Sequence, residues 1–313
     1  MKNKIIIFGG SGFIGKHLIS ELGDEYDYIV PSRDPVQIKG KLPDNVEIIK
    51  LKLTDSKNLI PYFEQATGII NLAGENVGRR WTKKRKRAIS SSRIMIDRLI
   101  ANAFYASNNN IQFIIQASAI GIYGYSRKDV EIDEYSQRGK HGFLTRVSYK
   151  HERAMHKLED KTRLVFIRTS FVLDNKEGGL PKMVSVFLRG LGGKVGSGKQ
   201  WNSWIHIKDE VRAIKFLIES KTARGAYNLT SPNTVQQREF SKTLGKVLKK
   251  PSYLKKPAFL LKIMMGKRAK ELLIKGLNIH PTRLLEEGFI FHFGRLDKAL
   301  KDIYGKKSKT HKK

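Results

Sequence analysis

The stretch Lys4-Ile-Ile-Ile-Phe-Gly-Gly-Ser-Gly-Phe-Ile-Gly15 decides the fold of this 313-residue chain. Three isoleucines, typical of a buried strand, run directly into glycines, and a helical pattern follows from His17. Gly9 permits a tight turn, Gly12 lets a phosphate approach the backbone, and Gly15 lets the helix pack against the strand. The free N–H groups of the first helical turn attract an anion. This strand, turn and helix predict a dinucleotide phosphate site.

The rest of the first half alternates strand-like and helix-like segments. The strand-like segments are short apolar runs at 28–30, 46–53, 68–72, 112–116 and 164–168. The longest helical pattern covers residues 82–106. Such alternation predicts an α/β fold with a doubly wound parallel sheet and crossover helices. From Gly178 the chain becomes glycine-rich without a linker or an internal repeat, so we expect a second lobe interleaved with the first.

Composition excludes several classes of protein. The chain has no cysteine, which excludes disulfides, cysteine-ligated metals and a thiol nucleophile. Its eight histidines lack the spacing of metal ligands, so no metal site is predicted. No run of about 18 apolar residues occurs, and the N-terminal apolar stretch lacks the shape of a signal peptide. We therefore expect a cytoplasmic protein without a membrane span.

The charge balance is unusual. Lys and Arg number 60 against 29 Asp and Glu, for a net charge of +31. The densest clusters lie at 79–87 and at 306–313. A surface of this kind attracts polyanions, so nonspecific contact with a polyanion such as RNA is one hypothesis. The alternative is an ordinary solvated surface, because the excess is spread along most of the chain.

The end of the second predicted strand bears on the type of dinucleotide. In dinucleotide-binding folds this end meets the adenosine ribose, where an acidic residue accepts the 2′-hydroxyl of NAD. Ser32 and Arg33 stand there first, and a guanidinium suits the 2′-phosphate of NADP. Asp34 follows one position later and keeps NAD open. Asp55, after the third strand, either contacts the amino group of the adenine or is an ordinary helix N-cap.

The later motifs give the chain a family resemblance. Together with the N-terminal glycines it resembles the extended short-chain dehydrogenases/reductases through Asn71-Leu-Ala-Gly74, Ser118-Ala-x-Gly-x-Tyr-Gly124 and Trp204-Ile-His-Ile-x-Asp209. More narrowly, it resembles an atypical branch, the bacterial "epimerase family protein" group. That resemblance covers about residues 3–303 and rests on Asn71-Leu-Ala-Gly-Glu75, Arg80-Trp-Thr82, Ser92-Arg93, Gly178-Gly179, Gly192-Gly-x-x-Gly-Ser-Gly-x-Gln200, Tyr227-Asn-Leu229, Pro281 and Glu287-Gly-Phe289.

The resemblance implies a Rossmann-type sheet with a small interleaved C-terminal α/β substrate lobe. The sheet is expected in residues 1–175, completed by parts of 200–230, with the lobe mainly over 176–303 and a basic, disordered tail over 304–313. The implied cofactor is NAD(P), and Arg33 favours NADP. The expected cofactor contacts are Gly9, Gly12, Phe13, Ile14, Gly15, Ser32, Arg33, Asp55, Leu72, Ala73, Gly74 and Arg168.

The usual catalytic residues of the superfamily are missing from their places. Its chemistry relies on a Ser or Thr, a Tyr that passes a proton, and a Lys four residues later that lowers the pKa of the Tyr. When Glu152 is matched to the acidic residue that closes this motif, the Tyr and Lys positions hold Leu144 and Ser148. The Ser position, aligned on Tyr123, holds Ala119. The sequence therefore does not predict standard Tyr–Lys chemistry.

Three other side chains are candidates for catalysis. Ser118 precedes the expected Ser by one residue, and Tyr123 lies just past the strand end. Tyr149 has Arg153 four residues later, so a guanidinium stands where an ammonium is usual. For Ser118 and Tyr123 a purely structural role is the alternative.

The narrow family pattern also suggests a pocket for a small polar or anionic substrate. Its candidate residues are Glu75, Arg80, Trp81, Arg93 and Trp204. The alternative is that the arginines cap helices or pair with carboxylates while Trp81 packs. Two functions follow: an NADP(H)-binding oxidoreductase or epimerase, or a non-catalytic protein that senses NADP(H) or binds RNA. The oligomeric state stays open.

Overall fold

A computed structural model describes residues 2–124, 130–256, 266, 271 and 276–305. In chain order its strands are β1 Lys4–Phe8, β2 Asp27–Ser32, β3 Val46–Lys50, β4 Ala66–Asn71, β5 Phe113–Ala119, β6 Glu131–Ile132, β7 Arg163–Thr169, β8 Phe171–Leu173, β9 Gly193–Val195, β10 Trp201–Asn202, β11 Trp204–His206, β12 Gly225–Leu229, β13 Val235–Gln236, β14 Leu254–Lys256 and β15 Asn278–Ile279. A seven-stranded sheet has the order β12-β7-β5-β4-β1-β2-β3, and its neighbouring strands are parallel. The predicted Rossmann-type α/β fold is confirmed.

Some of the helices cover the two faces of this sheet, and the others belong to the second part of the chain. In chain order they are α1 Phe13–Leu22, α2 Pro35–Ile38, α3 Ile60–Gln65, α4 Lys83–Ala106, α5 Phe143–Met155, α6 Leu180–Leu188, α7 Ile207–Glu219, α8 Gln237–Leu248, α9 Thr282–Glu286 and α10 Leu296–Tyr304. Apolar residues of α1 and α7 form one core with the sheet, and those of α3, α4 and α5 form the other. Because both faces are covered, central strands such as β1 are apolar throughout their buried length.

The strand order reverses between β1 and β4. From β1 the chain proceeds outward to β2 and β3, and then returns to place β4 on the other side of β1. In an open α/β sheet the carboxyl ends of the strands at such a point diverge and leave a crevice, where ligands bind. The fold therefore places the glycines after β1 and the Asn71–Gly74 segment after β4 beside the same crevice.

The second part of the chain forms a separate hydrophobic core. It includes Leu180 and Phe187 of α6, Trp204 of β11, Phe240 of α8 and Leu300 of α10. The chain leaves the main sheet after β7 and returns at β12, so the two parts interleave. Helix α10 ends at Tyr304, and residues 306–313 of the predicted tail lie outside the described residues. Within the described residues, none of the helices combines the length and the apolar character needed to cross a membrane.

Candidate cofactor and active site

The glycine turn after β1 brings three segments of backbone together. Gly9 has a φ of +79°, and a Cβ added there would lie 2.9 Å from the carbonyl carbon of Leu72. A Cβ on Gly15 would lie 2.4 Å from the Gly9 oxygen, so helix α1 packs against the turn only without a side chain. Gly12 is exposed, and a Cβ there would meet only the Gly9 oxygen, at 3.0 Å. Gly9 and Gly15 are thus required by the fold, whereas at Gly12 the Gly9 oxygen is the one close atom within the described residues that an added Cβ would meet.

The N-terminus of α1 opens toward the crevice. Its first intrahelical bond is donated by Lys16 N to Gly12 O, over 3.1 Å. The N–H groups of Phe13 and Ile14 precede that bond, so they lack intrahelical partners. The first turn contains no acidic residue. These donors and the positive end of the helix dipole form a binding site for an anion such as a pyrophosphate.

The end of β2 presents an unpaired cation. In the part of the chain that the structure describes, Arg33 is exposed and its guanidinium has no ion-pair or hydrogen-bond partner. The neighbouring Asp34 is occupied differently, because its carboxylate accepts the N–H of Gln37 and caps helix α2. Ser32 Oγ accepts the Asp34 N–H at 3.1 Å. The charge available to a ligand at this edge is therefore positive.

Asp55 serves as a helix cap. Its Oδ1 accepts the N–H of Lys57 at 3.0 Å, and its Oδ2 accepts from the side chain of Asn58 at 2.7 Å. Both oxygens thus have partners within the short 3-10 helix Ser56–Leu59. The geometry fits the N-cap alternative, and a contact with adenine stays a prediction.

A polar network joins the ends of β5 and β7 to helix α5. Ser118 Oγ donates to Glu152 Oε1 at 2.6 Å, and the Arg168 guanidinium holds both Glu152 oxygens, at 3.0 and 2.9 Å. Arg168 also donates to the Tyr123 hydroxyl at 2.8 Å, and that hydroxyl donates to Asn228 Oδ1 at 2.9 Å. Burial alone lowers the pKa of Arg168, but the hydrogen bond and charge of Glu152 outweigh it and raise that pKa. The network is a buried ion pair that organises two of the predicted catalytic hydroxyls.

The two hydroxyls differ in access. Tyr123 is only 1% exposed, and burial raises the pKa of its phenol. Its hydroxyl already makes two hydrogen bonds, so it has neither the access nor the acidity of a proton donor to substrate. Ser118 is half-buried at the strand end, and its lone pairs stay available while its proton points to Glu152. Of this pair, Ser118 is the one that an incoming molecule can reach.

The three usual catalytic positions are filled without ionisable groups. The Cβ of Leu144 lies 3.5 Å from where a Cβ on Gly121 would be, and Thr145 Oγ1 donates to Gly121 O at 3.0 Å. The first turn of α5 therefore packs directly against the segment after β5. Ala119 has no functional group, and Ser148 is buried with 6% exposure. A Tyr–Lys pair is absent from this junction.

Tyr149 faces another direction along α5. Its ring lies under the Arg138 guanidinium, 3.8 Å from the ring centroid, and Arg153 is exposed. Among the described contacts, none joins Tyr149 to Ser118. Its proposed catalytic role stays a prediction, and its observed role is stacking.

The predicted substrate residues fall into two groups. Glu75 forms an ion pair with Arg85 at 2.6 Å, and Arg93 donates to the Glu75 carbonyl at 3.3 Å. Trp81 packs edge-on against Phe143 of α5 with ring centroids 5.0 Å apart. Glu75 and Trp81 thus lie beside the first turns of α4 and α5, respectively, while Arg93 approaches Glu75 from further along α4.

The other two substrate candidates, Arg80 and Trp204, make none of these contacts within the described residues. Arg80 is exposed, and no side-chain contact is described for it in residues 2–124, 130–256, 266, 271 and 276–305. Trp204 has no exposed surface and donates its indole N–H to Asn233 O within the second core. A fully buried side chain cannot touch a substrate, so Trp204 packs the lobe rather than lining a pocket.

The basic cluster at 79–87 is divided by the fold. Arg85 turns inward to Glu75, and Lys86 places its ammonium 5.2 Å from the Phe143 ring centroid. Lys83, Lys84 and Arg87 remain exposed. Part of the charge that the sequence assigned to the surface therefore belongs to the candidate site. Sequence reasoning did not single out Arg85, because spacing alone does not show which cations of a run turn inward.

Three buried ionisable residues were also missed from sequence. Asp97 and His151 pair at 2.6 Å beside Asn71 of β4 and Gln116 of β5. Burial raises the pKa of Asp97 despite the His151 hydrogen bond. Glu210 of α7 is completely buried, accepts from Thr169 Oγ1 at 2.7 Å, and leaves Oε2 without a partner among the described residues. Burial raises the pKa of Glu210 to about 8. The only sequence signal for these groups is polar residues at apolar positions of otherwise amphipathic helices.

Comparison with known proteins assigns most of the chain. Residues 5–230 match the profile of the NAD dependent epimerase/dehydratase family, and residues 256–303 match a domain of unknown function. The chain is 32% identical over 301 residues to the epimerase family protein YfhF of Bacillus subtilis, covering 96% of this chain and 97% of that one. It is 32% identical over 304 residues to the chloroplastic SDR39U1 homolog of Arabidopsis thaliana, covering 96% and 86%.

A solved structure is similar over nearly the whole chain. The human epimerase family protein SDR39U1, crystallised with NADPH, matches with a TM-score of 0.86 and 27% identity. The match covers 97% of this chain and all of the human one. The similarity therefore extends through both the main sheet and the second lobe.

Proposed function

Since this chain belongs to the NAD dependent epimerase/dehydratase family, we propose that it binds NADP(H) in the crevice between β1 and β4 and acts on a small polar substrate as an oxidoreductase or epimerase. The unpaired Arg33 at the end of β2 carries the choice of NADP(H), because it offers a guanidinium where the adenosine ribose lies in this fold. The NADPH bound to the human relative supports the same choice.

The residues of the crevice fit such a cofactor. The backbone at Gly9 and Gly12 and the N–H groups of Phe13 and Ile14 would hold the pyrophosphate, with Gly15 keeping the helix close. Ser32 and Arg33 would hold the 2′-phosphate. The segment Leu72–Gly74, after β4, would border the nicotinamide half. Arg168 acts through Glu152 and Tyr123 rather than by a free guanidinium.

The chain's own groups suggest how a substrate is oriented. The bound nicotinamide supplies or accepts a hydride. Ser118 donates to Glu152, so its lone pairs can accept a hydrogen bond from a substrate hydroxyl at the strand end. Arg168 fixes the Glu152 carboxylate that orients Ser118. The Glu75–Arg85 ion pair and Trp81, whose indole N–H donates to Val77 O, would supply a polar and aromatic part of the substrate pocket.

Titration calorimetry with NADPH and NADH tests the cofactor. We expect tighter binding of NADPH, and the variant Arg33→Ala should lose about 10- to 100-fold of NADPH affinity with little change for NADH, since a charge-assisted contact to phosphate is removed. Arg189→Ala is the matched control, because it removes an exposed cation remote from the crevice. Equal affinity of the unmodified protein for NADPH and NADH would exclude this selectivity.

A second candidate function is non-catalytic sensing of NADP(H). It is favoured by Ala119, Leu144 and Ser148 at the positions where the family's usual chemistry needs a Ser or Thr hydroxyl, a Tyr phenol and a Lys ammonium, respectively. Incubation with fractionated metabolite pools separates the two functions. An enzyme changes NADPH absorbance with some fraction, and Ser118→Ala slows that change. Binding of NADPH without any redox change in every pool supports the sensor instead.

Contact with a polyanion such as RNA is a hypothesis separate from cofactor binding. The exposed Lys83, Lys84 and Arg87 would carry contact with RNA, and the comparisons give it no support. Affinity for RNA that falls steeply with salt and disappears when these three are neutralised would establish it. Equal affinity for heparin would show that the contact with RNA is nonspecific attraction.

A cytoplasmic location is proposed for this chain, while the Arabidopsis relative is chloroplastic.

A further inference from the structure

A series of buried hydrogen bonds begins at the backbone N–H of Ala73, just after β4. Ala73 N donates to Asn71 Oδ1 at 3.1 Å, which fixes the orientation of the Asn71 amide. The Asn71 Nδ2 group must then donate, and it reaches Gln116 Oε1 at 3.1 Å and Asp97 Oδ1 at 3.2 Å. The direction of the series is therefore set by one backbone N–H of the candidate cofactor site.

The same direction continues into helix α5. Since Gln116 Oε1 accepts from Asn71, Gln116 Nε2 is a donor, and it lies 2.9 Å from His151 Nε2. That ring nitrogen accepts the hydrogen bond in the tautomer that carries its proton on Nδ1. His151 Nδ1 donates in turn to Asp97 Oδ2 at 2.6 Å. Asp97 is the anionic end of the series, and the four side chains are at most 2% exposed.

Arg93 lies one helical turn before Asp97 in α4. Burial lowers the pKa of the Arg93 guanidinium, and the charge of Asp97 opposes that shift. Arg93 donates to the Glu75 carbonyl at 3.3 Å, and its guanidinium is so close to Gly74 that an added Cβ would lie 2.8 Å away. Asp97 thus reaches the Ala73 backbone through Asn71, while Arg93, one turn away on the same helix, contacts the 74–75 backbone.

We propose that Asp97 is a positioning residue for the nicotinamide half of the cofactor site. It binds the Asn71 amide directly and also binds Gln116 and His151, so it fixes the Asn71 side chain that holds the backbone N–H of Ala73 beside the crevice. Among the described hydrogen bonds, none joins these side chains to Arg33 or to the turn at Gly9. Within the described residues, Asp97 therefore makes no direct hydrogen bond to the part of the crevice proposed for adenosine, so we expect its effect to be largest on the nicotinamide side. This inference rests on the proposed binding of NADP(H).

The test compares two ligands on one variant. Asp97→Asn keeps the size of the side chain but cannot carry the anionic end of the series. We expect NADPH affinity to fall about tenfold, while the affinity for adenosine 2′,5′-bisphosphate, which lacks the nicotinamide half, stays within about twofold. Equal loss for both ligands, or no loss for NADPH, would overturn the proposal.

A second variant covers a failure of Asp97→Asn to fold. His151→Gln removes one link and leaves Asp97 its contacts with Asn71 and Gln116. We expect a smaller loss, again confined to NADPH, and loss for both ligands would overturn the proposal equally. Failure of the unmodified protein to bind NADPH would instead refute the proposed function, so the two failures are distinguishable.

Discussion

The two halves of the crevice are built on different principles. The half that we propose for adenosine, at the ends of β1 and β2, offers mainly backbone: glycines without Cβ atoms, open helical N–H groups and one unpaired Arg33. The half that we propose for nicotinamide, at the ends of β4, β5 and β7, offers side chains already bound to each other, such as Glu152 with Arg168. The glycine turn has the form usual in the family, while the side chains beside it differ from the family's usual set.

The largest expected effect tests whether the nicotinamide half is held by its ion pair. Arg168→Met leaves Glu152 as an uncompensated charge, and the pair is only 13% and 6% exposed. We expect the free energy of unfolding at neutral pH to fall by about 3–5 kcal/mol, measured by urea denaturation. Adding Glu152→Gln should recover part of the loss, because the unpaired charge is then gone. Arg295→Met, in an exposed pair with Asp297, is the control and should cost less than about 1 kcal/mol. Equal losses from the two single variants would contradict this account.

The next effect tests whether the adenosine half is a backbone site. Gly12→Ala adds a Cβ beside the α1 N-terminus whose one close contact among the described residues is the Gly9 oxygen, at 3.0 Å, so the unliganded fold should lose little stability. NADPH affinity should nevertheless fall about 100-fold, because the methyl group occupies the path of the pyrophosphate. Calorimetry and thermal unfolding measure the two quantities. Gly294→Ala, whose Cβ would meet only ordinary contacts, should change neither. An unchanged NADPH affinity in Gly12→Ala would show that the pyrophosphate does not bind beside Gly12.

The smallest effect concerns Glu210, buried behind the end of β7. Between its ordinary pKa of 4.5 and the raised pKa of about 8, the folded protein keeps a proton that the unfolded chain has lost. Stability therefore declines as the pH rises through this window and levels off above it. Glu210→Gln should flatten the decline and stabilise the protein at pH above 8 by about 1–2 kcal/mol, with no change near pH 4. Thermal unfolding across pH measures this, with the exposed Glu64→Gln as control. Parallel pH profiles for Glu210→Gln and the parent protein would show that Glu210 ionises normally.

The sequence predicted the fold to within a few residues at most elements. The apolar run at 164–168 lies inside β7, and the helix expected at 82–106 is α4 at Lys83–Ala106. Local periodicity and glycine positions carry this information, since strands and amphipathic helices are set by neighbours along the chain. The same holds for the turn at Gly9, whose positive φ is a local property.

The candidate site was predicted less completely because it depends on contacts across the chain. Trp204 and Arg93 both stand in family motifs, yet one is sealed in the second core and the other reaches Glu75. The pairing of Asp97 with His151 joins residues 54 positions apart in sequence, and no local pattern specifies it. Whether a polar residue faces a core, a partner or a ligand is decided by tertiary packing, which spacing does not encode.

The late return of β12 to the main sheet has a consequence for synthesis on the ribosome. Strand β7 ends at Thr169, and its outer neighbour β12 begins only at Gly225. At about 5–20 residues per second, the nascent chain carries an unpaired parallel edge for on the order of 3–10 s. During that interval the emerging chain is open to pairing with other nascent strands. Its dependence on chaperones should therefore be greatest before residue 229 leaves the exit tunnel, and a fragment ending near residue 175 should aggregate.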